Sequence, residues 1–335
     1  MEISNEGKKH IKKYISPFHI DKERQKKVYH EIKESAQGDF DFFVLTIFSG
    51  IIITLGLVVD SSAVVIGGML LAPLVWPILS LSLGIVKGRS KLIQDSAFTL
   101  LKSTLLIFVI AIIIGIISPS YALKGTEFLS RTSPTVFELF IALAAGFIGA
   151  FVIAYPKIGA AIAGVVVAAA LVPPIAVMGV AVAHSNIGLA GGAFLLYLSN
   201  LIAVTFSASV LFFIAKFKGP SSEKGQERMK SNMRWTLLFL LVLAVPLFLI
   251  TSNTIRENKQ QKIVREIVSA TIPEAVITSV NIDDKSEISI VNVTIQCSEN
   301  STRSQISDLE NVLSKKIKKE IILRITVVPI IKLWE

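Results

Sequence analysis

The chain has 335 residues, 52% of them hydrophobic and only 18% charged, with a mean hydropathy of +0.64. Soluble domains carry about a quarter charged residues, so this balance excludes an ordinary soluble enzyme and points to a membrane core with polar ends. The net charge of +9 does not argue for nucleic acid, because the basic residues lie at the ends of apolar runs and in an N-terminal segment nearly as rich in acids.

In chain order, residues 1–41 intersperse Lys with Glu, show no long apolar face, and predict one or two charged helices forming a solvated or membrane-surface arm. They lack the apolar run and small-residue cleavage site of a secretory signal, so insertion is expected to rely on the first membrane helix. Runs apolar enough to cross roughly 30 Å of hydrocarbon follow at 42–59, 61–86, 103–118, 136–154, 158–182, 188–215 and 235–252. Charged side chains such as Asp41, Asp60, Glu138 and Lys157 stay at run ends, where an interfacial position is expected. The third run is expected to extend back through Ala97 to Lys102.

From residue 254 the pattern changes to a helix with Ile263, Val264, Ile267 and Val268 on one stripe. Alternating strands around 275–282 and 287–297 follow, joined across DDKS, then an amphipathic helix at about 303–319 that aligns Ile306, Leu309, Leu313 and Ile317, and a last strand at 321–331. The expected fold is therefore a membrane all-α region of seven transmembrane helices plus a small α+β C-terminal soluble domain of α-β-β-α-β order. One cysteine, Cys297, leaves no disulfide framework and no cysteine cluster for a metal within the chain.

Lys and Arg in alternate connections set the orientation. The segments 1–41, 87–102, 155–157 and 216–234 hold 20 of them, and the opposite set, 60, 119–135 and 183–187, holds 2. The N-terminus is expected on the cytoplasmic side of the cell membrane, and seven crossings would carry 254–335 to the outside.

Sliding the sequence on itself aligns LVWPI at 74–78 with LVPPI at 171–175, an offset of 97 that also superposes Gly67 on Gly164 and Ala63 on Ala160. The order of runs repeats as three plus three, at about 42–118 and 136–215, with 235–252 as an extra helix. An odd number of helices per copy makes the repeat inverted, as in many secondary transporters. The central run of each copy carries prolines, IGGMLLAPLVWP in one and AGVVVAAALVPP in the other. Proline removes a donor and clashes with the preceding turn, so the second and fifth helices are expected to break, and broken backbone inside a membrane needs protein or a water-filled cavity beside it. Close helix packing through Gly67, Gly68 and Gly164 is the competing reading.

The stretch SSAVVIGGMLLAPLVWPILSLSLGIVKGR, 61–89, and the later NLIAVTFSASV, 200–210, resemble the signature of a bacterial and archaeal membrane family, the hydrophobic domain of unknown function 389, across roughly residues 40–215. The resemblance implies an integral membrane protein and carries over no substrate, reaction or catalytic residue.

A solute path between the two central helices is expected to draw on Ser61, Ser62, Gly67, Gly68, Pro73, Trp76 and Pro77 in the first copy, and on Gly164, Pro173, Pro174, Asn200 and Thr205 in the second. Asn200 either bonds a neighbouring helix or meets the solute, since an amide at that depth is costly unpaired. The four histidines are scattered, and no HExxH or phosphate-binding loop occurs. The expectation is a permease for a small anionic or neutral solute, without enzymatic activity or cofactor, embedded in the lipid bilayer as a homo-oligomer. A sensor or oligomeric scaffold whose soluble domain receives a ligand or partner is the alternative.

Overall fold

The computed structural model describes residues 20–155, 160–217, 223–272, 276–283, 289–297, 309, 312–314, 316 and 321–329. The chain divides into two compact units, Met1–Ile250 and Thr251–Glu335.

The first unit is helical. Helix α1, Lys22–Ser35, is capped by Asp21, whose side chain accepts from the Arg24 amide. It is not a solvated arm: Gln25, Val28 and Ile32 are buried, and it packs against the bundle. Three positions at helical spacing suffice for this docking, which is why no long apolar face marked it. The apolar helices follow as α2, Phe40–Val58, α3, Ser62–Leu71, α4, Val75–Lys87, α5, Ser90–Ile117, α6, Val136–Ala154, α7, Ala160–Ala183, and α8, Ile187–Ile214. Helix α9 runs unbroken from Glu223 to Thr271, so the expected last span and the first helix of the C-terminal domain are one helix. Residues 253–272 contain neither Gly nor Pro to stop it.

Among the described residues five helices, α2, α5, α6, α8 and α9, are long and apolar enough to cross a membrane; the pair α3 and α4, bent by 55° at their junction, has the length and composition of either one broken span or a re-entrant loop. In α7 the described side chains form an apolar helix over Ala170–Ala183, short of a full crossing.

The expected break of the fifth helix does not occur. Helix α7 continues through Pro173 and Pro174, because the carbonyl that Pro174 cannot serve, that of Ala170, accepts a 2.8 Å hydrogen bond from Asn200 Nδ2 on α8. With that acceptor satisfied from a neighbour, the helix has no need to open.

Several features recur at the 97-residue offset read from the sequence. Helices α2 and α6 have 19 residues each, and α5 and α8 have 28 each. Gly88 after α4 and Ser185 after α7 both adopt left-handed backbone, φ 59° and 56°. Each sits in the same pair of closing bonds, Gly88 to Ile85 and Arg89 to Gly84 after α4, Ser185 to Val182 and Asn186 to Ala181 after α7; these partners are 97 apart throughout. Packing repeats as well: Ser82 Oγ on α4 donates to the Thr205 carbonyl on α8 at 3.1 Å, while a Cβ built at Gly179 on α7 would stand 2.7 Å from the Phe108 carbonyl on α5. Gly50 lies against Ile107 and Gly146 against Val204, an offset of 96 on the first helices and 97 on the third.

In the second unit, β1, Val276–Asp283, pairs antiparallel with β2, Ser289–Cys297, and β2 pairs parallel with β3, Ile321–Pro329. The order β1-β2-β3 leaves β2 central, and its alternate residues Val291, Val293 and Ile295 are fully buried, the period-2 face expected of a covered sheet. Val264 and Val268 of the expected helical stripe, and Leu309 and Leu313 from the stretch expected as a second helix, complete this core. The DDKS link beyond Asp283, Ile306 and Ile317 lie outside the described residues.

Candidate functional site

The break between α3 and α4 is set by sequence. A residue before proline is pushed from helical to extended backbone, and Ala72, before Pro73, has φ −70° and ψ 118°. The chain turns at once: the Ala72 amide donates to the Met69 carbonyl and the Trp76 amide to the Pro73 carbonyl, each at 3.2 Å. Pro77 falls in the first turn of α4, where a missing amide costs least. The start of α4 therefore offers few free amides to an anion, since Pro77 has none and the Trp76 amide is engaged.

Asn200 joins α7 to α8. Its orientation is fixed, because a flipped amide would set Oδ1 against the Ala170 carbonyl. Oδ1 is consequently buried without a hydrogen-bond partner among the described residues. One turn earlier on the same face, the Tyr197 hydroxyl pairs with Thr104 Oγ1 of α5 at 2.7 Å. Tyr197 was missed by the sequence reading; its i−3 spacing from Asn200 was the available signal. Asn200→Asp replaces the donor by a carboxylate oxygen facing a carbonyl, and is expected to cost about 2–3 kcal/mol of stability in thermal unfolding. Asn200→Leu should cost less, because it deletes the orphan Oδ1 together with the donor.

The remaining sequence-derived residues scatter. Ser61 precedes α3 without a capping bond, and the Ser62 hydroxyl donates to the Glu127 carboxylate in the connection after α5, so both lie at a helix end rather than at the break. Gly68 is a packing residue: its carbonyl accepts from Ser49 Oγ at 2.9 Å, and a Cβ there would meet Ile53 at 2.6 Å. Gly67 has nothing within 4 Å of a Cβ. Trp76 is half-buried against the core, Pro77, Pro173 and Pro174 are buried, and the surroundings of Gly164 lie outside the described residues. The Thr205 hydroxyl donates to Leu201 of its own helix, while its carbonyl takes the hydroxyls of Ser82 and Ser209. The structure thus brings Asn200 to the proline turn of α7 and Thr205 to α4; it does not bring Ser61 and Ser62 to either.

Two comparisons bear on this arrangement. The chain is 27% identical over 228 residues to an uncharacterized protein of Methanocaldococcus jannaschii, covering 67% of this chain and 71% of that one. Residues 69–206, from the last turn of α3 to the middle of α8, match the sequence model of the family described as domain of unknown function (DUF389); the match takes in Ala72, Pro73 and Pro77 of the resembling stretch, the proline turn of α7 and Asn200, and begins just after Gly67 and Gly68.

Proposed function

We propose that the helical region is a permease, carrier or channel, for a small anionic or neutral solute, built as a three-plus-three inverted repeat with α7 as a full span and α9 as the extra one. The observation that carries this is a helix broken by 55° within a bundle whose triplets make corresponding contacts at an offset of 97. Inversion is favoured by α1. Arg24 donates to the Ile153 and Ala154 carbonyls at the end of α6, Gln25 to the Lys216 carbonyl just after α8, and Arg89, just after α4, donates to the Tyr29 hydroxyl. Helix α2 starts where α1 finishes, so the first helices of the two triplets run in opposite senses relative to α1.

Within the apolar runs the only side chain among Asp, Glu, Lys and Arg is Glu138. A solute at mid-depth would therefore meet hydroxyls, amides and backbone poles rather than a fixed cation, which favours a neutral solute over an anion. We further propose a cytoplasmic N-terminus in the cell membrane, an external C-terminal domain, homo-oligomeric assembly, and no catalysis. The scaffold reading has one observation in its favour, the proline turn of α7 closed by Asn200 rather than left open to a cavity.

Flux decides between them. Full-length protein reconstituted in liposomes is expected to move at least one member of a panel of small anions and neutral polar solutes faster than empty vesicles. If the panel is exhausted without protein-dependent movement, the permease reading fails and the scaffold reading takes its place.

A further inference from the structure

A crevice of about 370 Å³ opens where the end of α1 and the starts of α2 and α5 meet. Its walls include Lys33, Gln37, Asp95, Ser96, Phe98 and Lys102. The hydroxyls at its floor are committed to the protein: Ser96 donates to the Leu92 carbonyl at 2.7 Å and lies 2.8 Å from the Ser80 hydroxyl, and Thr99 donates to the Asp95 carbonyl. The charged groups are not committed. Lys33, Asp95 and Lys102 make no ion pair among the described residues, and the Lys102 ammonium rests over the Phe98 ring, 4.3 Å from its centroid.

Two cations and one carboxylate in a single crevice, none neutralising another, match a ligand carrying both signs. The path out of the crevice says which kind. Asp95, Phe98 and Lys102 are exposed and lie on one stripe of α5 at helical spacing, and that stripe continues as Leu105, Val109, Ile113 and Ile116, which are 43–70% exposed. An apolar track leading directly from a charged crevice suits a molecule with a charged head and hydrocarbon chains.

We infer that this crevice binds the head group of a zwitterionic phospholipid of the phosphatidylethanolamine type. The phosphate is held by Lys33 and Lys102, the primary ammonium by Asp95, and an acyl chain lies along the exposed stripe of α5. A primary ammonium is specified because it donates hydrogen bonds to a carboxylate, which a quaternary one does not. The assignment is independent of whether the bundle transports anything.

The test titrates the full chain in detergent with phosphatidylethanolamine, phosphatidylcholine and phosphatidylglycerol of identical acyl chains, and with soluble O-phosphoethanolamine, following the thermal midpoint. Phosphatidylethanolamine is expected to reach its half-effect at about a tenfold lower concentration than the other two lipids, the scale of one charge-assisted contact. Asp95→Asn should abolish that preference over phosphatidylglycerol, and Lys102→Gln should weaken the response to all three. Both side chains are exposed, so neither variant is expected to disturb folding, and the lipid ranking of the unaltered protein stands alone if one does. Equal half-effects for the three lipids, or a preference that survives Asp95→Asn, overturn the proposal. Stabilisation by O-phosphoethanolamine at the same concentration as the lipid overturns the lipid assignment in favour of a soluble zwitterion.

Discussion

A Gly179→Leu variant is expected to be lost as folded protein, with a destabilisation above roughly 3 kcal/mol, whereas Gly67→Ala should express and melt as the unaltered chain does. The contrast follows from where each glycine points. Helices α5 and α7 cross through small residues spaced four apart: a Cβ at Gly179 would lie 2.5 Å from the Ala111 Cβ and 2.7 Å from the Phe108 carbonyl oxygen, and one at Gly115 would lie 2.7 Å from the Ala183 Cβ. Ala111 faces Gly179 and Ala183 faces Gly115, so the two helices run parallel with backbones nearly touching. This is how membrane helices associate when hydrophobic burial no longer distinguishes protein from lipid. A leucine there must displace backbone, which cannot rotate away as a side chain does. A Cβ at Gly67 meets nothing within 4 Å. Monodisperse yield after detergent extraction and the thermal midpoint of what survives measure both; a Gly179→Leu protein that purifies normally would remove the close crossing from the account of the fold.

These same contacts explain what could be read in advance and what could not. The break at Ala72 was legible because proline acts on the residue before it, through sterics confined to one peptide unit. The unbroken course of α7 was not, because the group that satisfies Ala170 comes from Asn200, thirty residues away on another helix. Pro173 and Pro174 carry the same local instruction as Pro73, and a tertiary hydrogen bond overrides it. The docking of α1 was hidden for a related reason: Val28 and Ile32 are two apolar residues among charges, and burial depends on the bundle they meet. The C-terminal sheet was legible because strand patterning is dense, with Val291, Val293 and Ile295 facing one core at every second residue. The continuity of α9 across the change from apolar to polar composition was written as an absence, the lack of Gly or Pro between Asn253 and Ile272, and a shift in hydropathy is easily mistaken for the end of an element. At the candidate site, the prolines marked the break before α4 and the turn of α7 that meets Asn200, whereas Ser61 and Ser62, included as polar side chains of the second apolar run, lie a full helix away from the break.

Pro73→Ala carries the largest expected effect on function. In the unaltered chain, α3 ends at Leu71 with Ala72 extended, and α4 resumes at Val75 after a 55° turn. An alanine at 73 restores the missing amide and relieves the clash that holds Ala72 out of helical space, so that Pro77 alone, moved from a first turn to a helix interior, opposes a single helix from Ser62 to Lys87. Proline is about 3 kcal/mol less favourable than alanine inside a helix, so the substitution biases the straight form over the bent one by up to about a hundredfold. If the bend shapes a passage, as proposed, flux should fall by a comparable factor while stability holds or rises, a combination that a simple packing defect does not produce. Spin labels on cysteines introduced at Val64 and Lys87, in a Cys297→Ser background, should report a longer separation in the variant. Longer separation with unchanged flux would mean that the bend is real but incidental to transport. Unchanged separation would mean that neighbours rather than Pro73 impose the bend, with α3 held by Ser49 and Ile53 of α2 and α4 by Thr205 and Ser209 of α8. The helix would then be bent by its partners, as α7 is kept continuous by Asn200.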